Sequence, residues 1–287
     1  TCPYHAWSYD QQGALIGVFA PKDFGDIDRS CYGLRSLPVA ERAGMVWVTL
    51  DPNSQLDIDV FLSGYDSLLN QFGFADWHLF EQRTVAGPNW KIAYDGYMDL
   101  YHLPILHKET FGPQMPCQAL YYAWGPHQRV SSPDPRLALL AEQPAEEWSD
   151  DVLLGGVWTI FPHISIATFE GGGRSVMLSQ LFPGATPQES FTVQNYLMAR
   201  APNEAQAQEA RGQFDLLKYV VEEEDYATGI KQQHALMTGT RDHVLFGRNE
   251  GGGHRFHRWL DRIIETDDAD LTELFASAAP NAAHSAG

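Results

Sequence analysis

The sequence predicts an α+β fold in two parts: a small all-β part at residues 1–54 and a larger α+β part at residues 55–275. Three observations support this prediction. Short strand-like runs separated by turn signals fill the first part. In the second part, strand-like runs follow one another between residues 157 and 197, and helical segments lie before and after them. Strands gathered together, with helices at the two ends, indicate α+β rather than a βαβ alternation.

The first part is predicted to be built from short strands. The runs at residues 5–9, 14–19 and 45–50 are rich in aromatic and branched side chains. Residues 10–13, Asp-Gln-Gln-Gly, are typical of a hairpin loop that ends in glycine. The polar segment 51–57 contains a proline and is the predicted linker to the second part.

The second part begins with a predicted strand at residues 77–85 and continues into a helical run that contains His102, Pro104 and His107. Residues 112–151 show no regular pattern. Four predicted strands follow, at residues 157–161, 163–169, 175–182 and 190–197. One long helix is predicted at 203–236 and another at 255–276, while the small, polar, proline-broken segment 276–287 is predicted to be disordered.

Composition and charge exclude some classes of partner. The chain has 287 residues and a net charge of −18, from 37 acidic and 19 basic side chains, which argues against binding to nucleic acid or to an anionic membrane surface. It contains no apolar run of about 18 residues, so no membrane span is expected. Three cysteines are too few for a disulfide scaffold and fit a reducing compartment, which predicts a cytoplasmic location.

The segment 95–108 carries the first candidate metal ligands. In an unbroken helix, Asp99 and His102 would share a face, but His107 would lie roughly 140° away from His102. The two imidazoles could not then bind one ion. Pro104 removes this obstacle, because an interior proline kinks or breaks a helix and allows the turn that carries His107 to be re-aimed. The spacing therefore predicts that the two histidines converge.

A third ligand has to come from elsewhere in the chain. In the helix predicted at residues 203–236, Phe214, Leu217 and Val221 mark the buried stripe. Asp225 continues that stripe four residues beyond Val221, and Glu224 is equally well placed by its spacing from Leu217. Two histidines and one carboxylate on one side of an ion leave open positions, an arrangement that suits ferrous iron.

The N-terminal segment Cys2-Pro-Tyr-His5 has the spacing of a ligand pair for a two-iron, two-sulfur centre in which histidines replace two cysteines. With the following Ala-Trp-Ser-Tyr-Asp10, it resembles the second half of a Rieske cluster motif. Residues 89–91 and 95–107, and the segments around Asp225 and at 246–250, look like the iron-site signatures of one family. Together these motifs make the chain similar to the catalytic α subunit of Rieske non-haem iron ring-hydroxylating oxygenases.

The resemblance implies a role for each matching residue. His102, His107 and Asp225 would bind a mononuclear Fe(II), and Cys2 and His5 would supply two of the four ligands of a [2Fe-2S] cluster. Asp99 would be the catalytic bridge that connects the cluster of one subunit to the iron of its neighbour in a homotrimer, with or without β subunits. The implied fold is a partial Rieske domain followed by a helix-grip domain, an antiparallel sheet wrapped around a long C-terminal helix.

The resemblance also sets out what a complete protein would require. The family's other cluster pair, a cysteine and a histidine separated by one residue, does not occur in the sequence. The chain is therefore expected to be an N-terminally truncated form that is inactive without the missing half. Electrons would come from NAD(P)H through a separate reductase or ferredoxin.

The implied reaction is O2-dependent hydroxylation or cis-dihydroxylation of an aromatic or related organic substrate. A monooxygenase or an O-/N-demethylase on the same scaffold is an alternative, and so is a non-catalytic small-molecule-binding domain. His254 and His257 precede an amphipathic helical run, which favours surface or capping roles for them. The candidates for an apolar substrate pocket are Phe161, Phe169, Leu178 and Phe182.

Overall fold

The computed structural model describes residues 1–148, 150–241, 243–278 and 281–285 of the chain. It divides into two compact units: residues 1–42 with 46–55, and residues 43–45 with 56–287. This division lies close to the linker predicted at residues 51–57.

The first unit contains short strands and single helical turns. Strands β1 (Ser8–Tyr9) and β2 (Leu15–Gly17) pair antiparallel, and β3 (Val39–Arg42) and β4 (Met45–Val48) form a second two-stranded sheet. The loop between β1 and β2 is held by Asp10, whose Oδ1 accepts hydrogen bonds from the backbone N–H groups of Gln12 and Ala14. Gly13 has φ 84°, which glycine adopts without strain. The elements are β1 (Ser8–Tyr9), β2 (Leu15–Gly17), 3-10 turns at Pro21–Phe24 and Arg29–Tyr32, β3 (Val39–Arg42) and β4 (Met45–Val48).

The second unit combines a large sheet with helices. In chain order its elements are α1 (Ile58–Leu62), α2 (Tyr65–Leu69), 3-10 turns at Asn70–Phe72 and Phe74–Asp76, β5 (His78–Gly87), α3 (Trp90–Asp95), α4 (Leu103–Leu106), a 3-10 turn at Gly112–Gln114, β6 (Leu120–Trp124), β7 (His127–Ser131), α5 (Arg136–Ala141), a 3-10 turn at Ala145–Glu147, α6 (Asp150–Leu153), β8 (Val157–Ile160), β9 (Ile164–Phe169), β10 (Ser175–Pro183), β11 (Ser190–Met198), α7 (Glu204–Tyr219), a π-helix at Val220–Tyr226, α8 (Ala227–Met237), α9 (Gly251–Ile264), a 3-10 turn at Asp268–Asp270, α10 (Leu271–Ala276) and β12 (Asn281–Ser285).

Eight strands form one antiparallel sheet in the order β12-β6-β7-β8-β9-β10-β11-β5. Side chains along β10 alternate. Met177, Ser179 and Leu181 are buried, while Leu178, Gln180 and Phe182 are partly exposed. The buried face packs against α3 and against the π-helix at Val220–Tyr226. The Tyr226 hydroxyl in this π-helix hydrogen-bonds Thr192 of β11. The predicted α+β class and antiparallel helix-grip arrangement are therefore confirmed.

Three parts of the second unit differ from the sequence prediction. The segment 112–151, expected to be irregular, contains the hairpin β6–β7. Its strands are hard to recognise because β7 is buried on both faces and yet carries polar residues such as His127 and Gln128. The helix predicted at 203–236 is interrupted by the seven-residue π-helix. Residues 281–285, expected to be disordered, pair with β6, and residues 279, 280, 286 and 287 of the predicted tail lie outside the described residues.

The main apolar core of this unit lies between the buried sheet face and helices α3, α9 and α10. Its members are nine-tenths or more buried and include Tyr94, Leu181, Phe256, Trp259 and Phe275. Within the described ranges, no helix is both long and apolar enough to cross a membrane.

Candidate metal centre

The histidine segment folds as two separate helices rather than as one kinked helix. Helix α3 ends at Asp95, with Gly96 as its C-cap, and His102 and His107 flank the single turn α4. Pro104 lies in the first turn of α4, where a missing N–H leaves no helical hydrogen bond unmade. Because the break precedes His102, both imidazoles project from the ends of one short turn, with ring centroids 5.2 Å apart.

Asp225 reaches both imidazoles from the π-helix. Its Oδ1 lies 3.3 Å from Nε2 of His107 and 3.8 Å from Nε2 of His102. One ligand atom from each of the three residues lies within 4.8 Å of the others. Ligand atoms about 2.1 Å from one metal ion, at near-right angles, are about 3 Å apart, so this spacing fits a shared ion with small adjustments.

The other nitrogen of each ring is held by a carboxylate. Nδ1 of His102 donates to Oδ1 of Asp99 at 2.9 Å, and Nδ1 of His107 donates to Oε2 of Glu224 at 2.7 Å. A carboxylate acceptor fixes the proton on Nδ1 and leaves the Nε2 lone pair free, as metal-binding histidines require. The hydroxyl of Thr110 donates to the same oxygen of Glu224 and holds it in place.

The structure separates the two acids that periodicity leaves equivalent. Asp225 faces Nε2 of both histidines, whereas Glu224 lies on the opposite side of the His107 ring, at Nδ1. Sequence reasoning missed this supporting role of Glu224, although an acid adjacent to the candidate ligand was the available signal. A π-helix, which is often found at functional sites, spans both residues.

The site fits a divalent metal ion by its chemistry as well as by its geometry. Oδ1 of Asp225 is buried and has no hydrogen-bond partner among the described residues. A buried carboxylate oxygen without a donor is costly, and a cation bound at this point would satisfy it. Burial lowers the pKa of His107, but the carboxylates of Asp225 and Glu224 outweigh this effect and raise the pKa overall.

A cavity of about 240 Å³ borders the triad at His102 and Asp225. Its wall includes the acids Asp95, Asp99 and Glu250 and the apolar side chains of Ile92, Leu106, Leu245 and Phe246. The same cavity wall contains Gln232, Phe246 and Glu250 beside Asp225. These residues lie in or near the segments whose sequence resembles the family's motifs.

The two histidines of α9 differ from each other. His254 is exposed, as predicted. His257 is partly exposed, and its Nε2 lies 2.9 Å from Oδ1 of Asp95. Burial raises the pKa of Asp95, and its contact with His257 opposes that rise.

The four candidates for an apolar pocket do not form one surface. Phe161 is buried in the core beside Phe256, and Phe169 packs against the cluster around Tyr196. Leu178 and Phe182 lie on the face of the sheet opposite to the one that packs against the Asp225 helix. These two residues are therefore excluded as pocket walls, because strand alternation directs them away from the metal centre.

Cys2 and His5 lie in the same turn of the first unit, where the N–H of Ala6 donates to the Cys2 carbonyl oxygen at 2.9 Å. The backbone N–H groups of Tyr4 and His5 face the sulfur and lower the pKa of Cys2. A thiolate stabilised by amide donors suits a cluster ligand, so this pair is chemically consistent with the predicted role.

Comparison with known proteins identifies a family. A family model described as the ring hydroxylating alpha subunit (catalytic domain) matches residues 74–266. The anthranilate 1,2-dioxygenase large subunit of Acinetobacter baylyi is 32% identical over 115 residues, covering 37% of this chain and 24% of that protein. The carnitine monooxygenase oxygenase subunit of Acinetobacter baumannii is 31% identical over 110 residues, covering 37% of this chain and 29% of that protein. These alignments span less than a third of each relative's length.

Two solved structures share the fold. A quaternary ammonium Rieske monooxygenase in complex with L-carnitine superposes with a TM-score of 0.68 at 18% identity, covering 92% of this chain and 70% of that chain. Naphthalene 1,2-dioxygenase from Rhodococcus sp., bound to indole, gives a TM-score of 0.63 at 16% identity, covering 97% and 76%.

Proposed function

Because the chain belongs to the family of ring-hydroxylating α subunits, we propose that it is a cytoplasmic oxygenase that uses O2 at one Fe(II) to hydroxylate or cis-dihydroxylate a small organic substrate. One observation carries this proposal. The Nε2 atoms of His102 and His107 converge on a buried, unpartnered oxygen of Asp225. We assign these three residues as the iron ligands. Bound Fe(II) would supply the binding and reduction of O2, since three ligands on one side leave positions open.

The surrounding carboxylates have distinct tasks in this proposal. Glu224 holds the proton on Nδ1 of His107 and fixes the ring plane, and Asp99 does the same for His102. Asp99 also borders the cavity beside the triad, and its proposed further role is to bridge to a cluster on a neighbouring subunit of a homotrimer. Cys2 and His5 would supply two of the four ligands of the [2Fe-2S] cluster, which would receive electrons from NAD(P)H through a reductase or ferredoxin.

The type of oxygenation has two candidates. Dioxygenation of an aromatic ring adds both oxygen atoms of O2 and two hydrogens to the substrate. Monooxygenation adds one oxygen and releases the other as water. In O- or N-demethylation the hydroxylated methyl group then leaves as formaldehyde. The anthranilate dioxygenase favours the first reaction, and the carnitine and glycine betaine monooxygenases favour the second and a quaternary ammonium substrate. The same metal ligands serve both reactions.

Iron binding and product formation test the proposal separately. The purified chain is loaded anaerobically with Fe(II), and its bound iron is compared with that of His102→Ala and of the matched control His234→Ala, whose histidine is exposed on α8. The wild type and the control are expected to bind one equivalent, and His102→Ala much less. If the wild type binds no iron, the non-catalytic binding domain becomes the better description.

The loaded protein is then given isotopically labelled hydrogen peroxide, which replaces O2 and two electrons. A panel of aromatic and quaternary ammonium compounds serves as substrates, and products are analysed by mass spectrometry. A gain of two labelled oxygens with two hydrogens identifies cis-dihydroxylation, and a gain of one identifies monooxygenation. Loss of a methyl group with release of formaldehyde identifies demethylation. The absence of labelled product across the panel, with iron bound, would contradict the oxygenase assignment.

A further inference from the structure

A further cavity, of about 620 Å³, lies on the face of the sheet opposite to the metal centre. Arg129 of β7 borders this cavity and belongs to a cross-strand row that ends at Leu178 of β10, on the face away from the Asp225 helix. The row, in order from β7 to β10, is Arg129, Trp158, Ile166 and Leu178. The volume of the cavity falls within the usual range of small-molecule sites.

Part of the wall of this cavity is apolar and rich in aromatic rings. The rings come from the turns before β5 and from the end of β9, and aliphatic side chains of α5 and α6 join them. Arg174 lies at the exposed rim, with its guanidinium 5.7 Å from the centroid of the Trp77 ring. A flat apolar body therefore has surfaces to pack against here. The apolar members of the wall are Phe72, Trp77, Leu137, Val152 and Phe169.

The charged part of the wall is positive overall, although the chain as a whole carries a net charge of −18. It consists of the arginines Arg129, Arg136 and Arg174 and the acids Asp134 and Glu170. Both acids lie beside Arg136: Asp134 contacts it through both carboxylate oxygens, and Glu170 lies 4.0 Å away. No carboxylate of the described residues forms an ion pair with Arg129. Its charge is therefore uncompensated inside the cavity.

Arg129 is held in one orientation with one nitrogen free to bind. Its Nε and Nη2 both donate to the Gly155 carbonyl oxygen, at 3.1 and 2.6 Å, and its guanidinium lies 4.9 Å from the centroid of the Trp158 ring. Nη1 has no hydrogen-bond partner among the described residues and is accessible to solvent. Because the guanidinium is already fixed, little side-chain entropy is lost when an acceptor binds Nη1.

Two serine hydroxyls extend this set of donors. Ser131 is two positions after Arg129 on β7, so strand alternation puts it on the same face, and Ser132 follows it along the cavity wall. In the described part of the chain neither hydroxyl has a hydrogen-bond partner, and both are accessible to solvent. One fixed cationic N–H group with two neutral hydroxyls suits a carboxylate, which offers two acceptor oxygens and a single negative charge.

We propose that this cavity is a second ligand site, which binds a small aromatic carboxylic acid. The carboxylate accepts hydrogen bonds from Nη1 of Arg129 and from the hydroxyls of Ser131 and Ser132, and the aromatic ring packs against Phe72 and Trp77. The sheet separates this site from the metal centre, so an acid bound here is not positioned for oxidation. The inference therefore goes beyond the proposed function and does not depend on it.

The test compares aromatic carboxylic acids with their primary amides, which have nearly the same shape but no charge. Benzoate and benzamide, and 2-naphthoate and 2-naphthamide, are titrated into the metal-free chain by calorimetry at constant ionic strength. At least one acid is expected to bind about 10- to 100-fold more tightly than its amide, because its carboxylate bonds a charged group. If neither acid is preferred over its amide, the proposal is wrong.

Variants at two positions locate the acid in this cavity. Ser131→Asp keeps Arg129 but supplies a carboxylate from the chain itself, so it should remove the preference for the acid. Ser131→Asn, which is nearly the same size and uncharged, is the matched control and should keep it. Arg129→Gln should also remove the preference, and if this variant fails to fold, the pair at Ser131 still decides. Arg258→Gln, at an exposed arginine on α9, controls for net charge and should change nothing.

Each pattern of results has a definite meaning. Loss of the acid preference in Ser131→Asp, with retention in Ser131→Asn and Arg258→Gln, would support the site. Survival of the preference in Ser131→Asp and in folded Arg129→Gln would mean that the acid binds elsewhere on the chain, and equal loss in Ser131→Asn would exclude a charge effect at Arg129. Either result would overturn the proposal. These measurements need no metal, so a chain that binds acids here but no iron would contradict only the oxygenase proposal.

Discussion

Three consecutive acids, Glu223, Glu224 and Asp225, occupy three different environments. Glu223 is exposed, Glu224 accepts the Nδ1 proton of His107 at 2.7 Å, and Asp225 points a buried, unpartnered oxygen at both imidazoles. Replacing each with its amide changes charge and hardly changes shape. The same chemical perturbation should therefore have three different consequences for metal affinity.

The magnitudes follow from these contacts. Asp225→Asn removes the anionic ligand and should lower Fe(II) or Co(II) affinity at least about 100-fold, or about 2.7 kcal/mol. Glu224→Gln keeps an acceptor for the His107 ring but loses its charge, so we expect about a tenfold loss, near 1.4 kcal/mol. Glu223→Gln should leave affinity unchanged.

The two substitutions should affect the free energy of unfolding of the metal-free chain in a different order from metal affinity. Asp225→Asn removes a buried charge that lacks a hydrogen bond, so the free energy of unfolding at pH 8 should not fall. Glu224→Gln replaces a charge-assisted hydrogen bond and should cost about 1 kcal/mol.

Chelator competition with Co(II) measures the affinities, and urea unfolding measures the stabilities. Equal loss of metal in Glu224→Gln and Asp225→Asn, or normal binding by Asp225→Asn, would refute the division of roles between the two acids.

Three further predictions concern other positions. Asp99→Asn should leave iron binding near normal, because an amide still accepts the hydrogen bond of His102. In the complete enzyme it should abolish the turnover that depends on NAD(P)H. Normal NAD(P)H-dependent turnover in this variant would exclude the bridging role. Burial lowers the pKa of His127 to about 4, so the unfolded chain takes up a proton at this histidine below about pH 6.5 and the folded chain does so only near pH 4. The free energy of unfolding, measured with urea, should therefore fall by about 2 kcal/mol from pH 7 to pH 5. The fall should be smaller in His127→Gln. Gly112→Ala should lower both the melting temperature and metal affinity, because the added methyl group would collide with the Leu103 carbonyl in the turn that carries His107, whereas Gly212→Ala, in open space on α7, should stabilise by up to about 1 kcal/mol.

Local patterns in the sequence were sufficient for the fold class and for the convergence of His102 and His107 with an acid from a later helix. The strand runs from residue 157 to 197 and the helix after them appear in the structure with small shifts at their ends. The stripe of Phe214, Leu217 and Val221 is buried as predicted, since periodicity along a helix depends only on neighbouring residues. The proline-containing histidine spacing and the phase of Asp225 likewise pointed to one site.

Tertiary structure decided which acid faces the two imidazoles and which side chains share the buried face of the sheet. Glu224 and Asp225 are equivalent by spacing, and their roles depend on a His107 ring 117 positions away and on a π-helix that no local pattern indicates. The registers of six strands place several polar side chains opposite one another, and each of them alone looks like an ordinary strand residue. They are Gln128, Thr159, Ser165, Ser179, Gln194 and Arg83. Pairing between distant segments sets these registers, so local patterns show the individual side chains but not the face that they share.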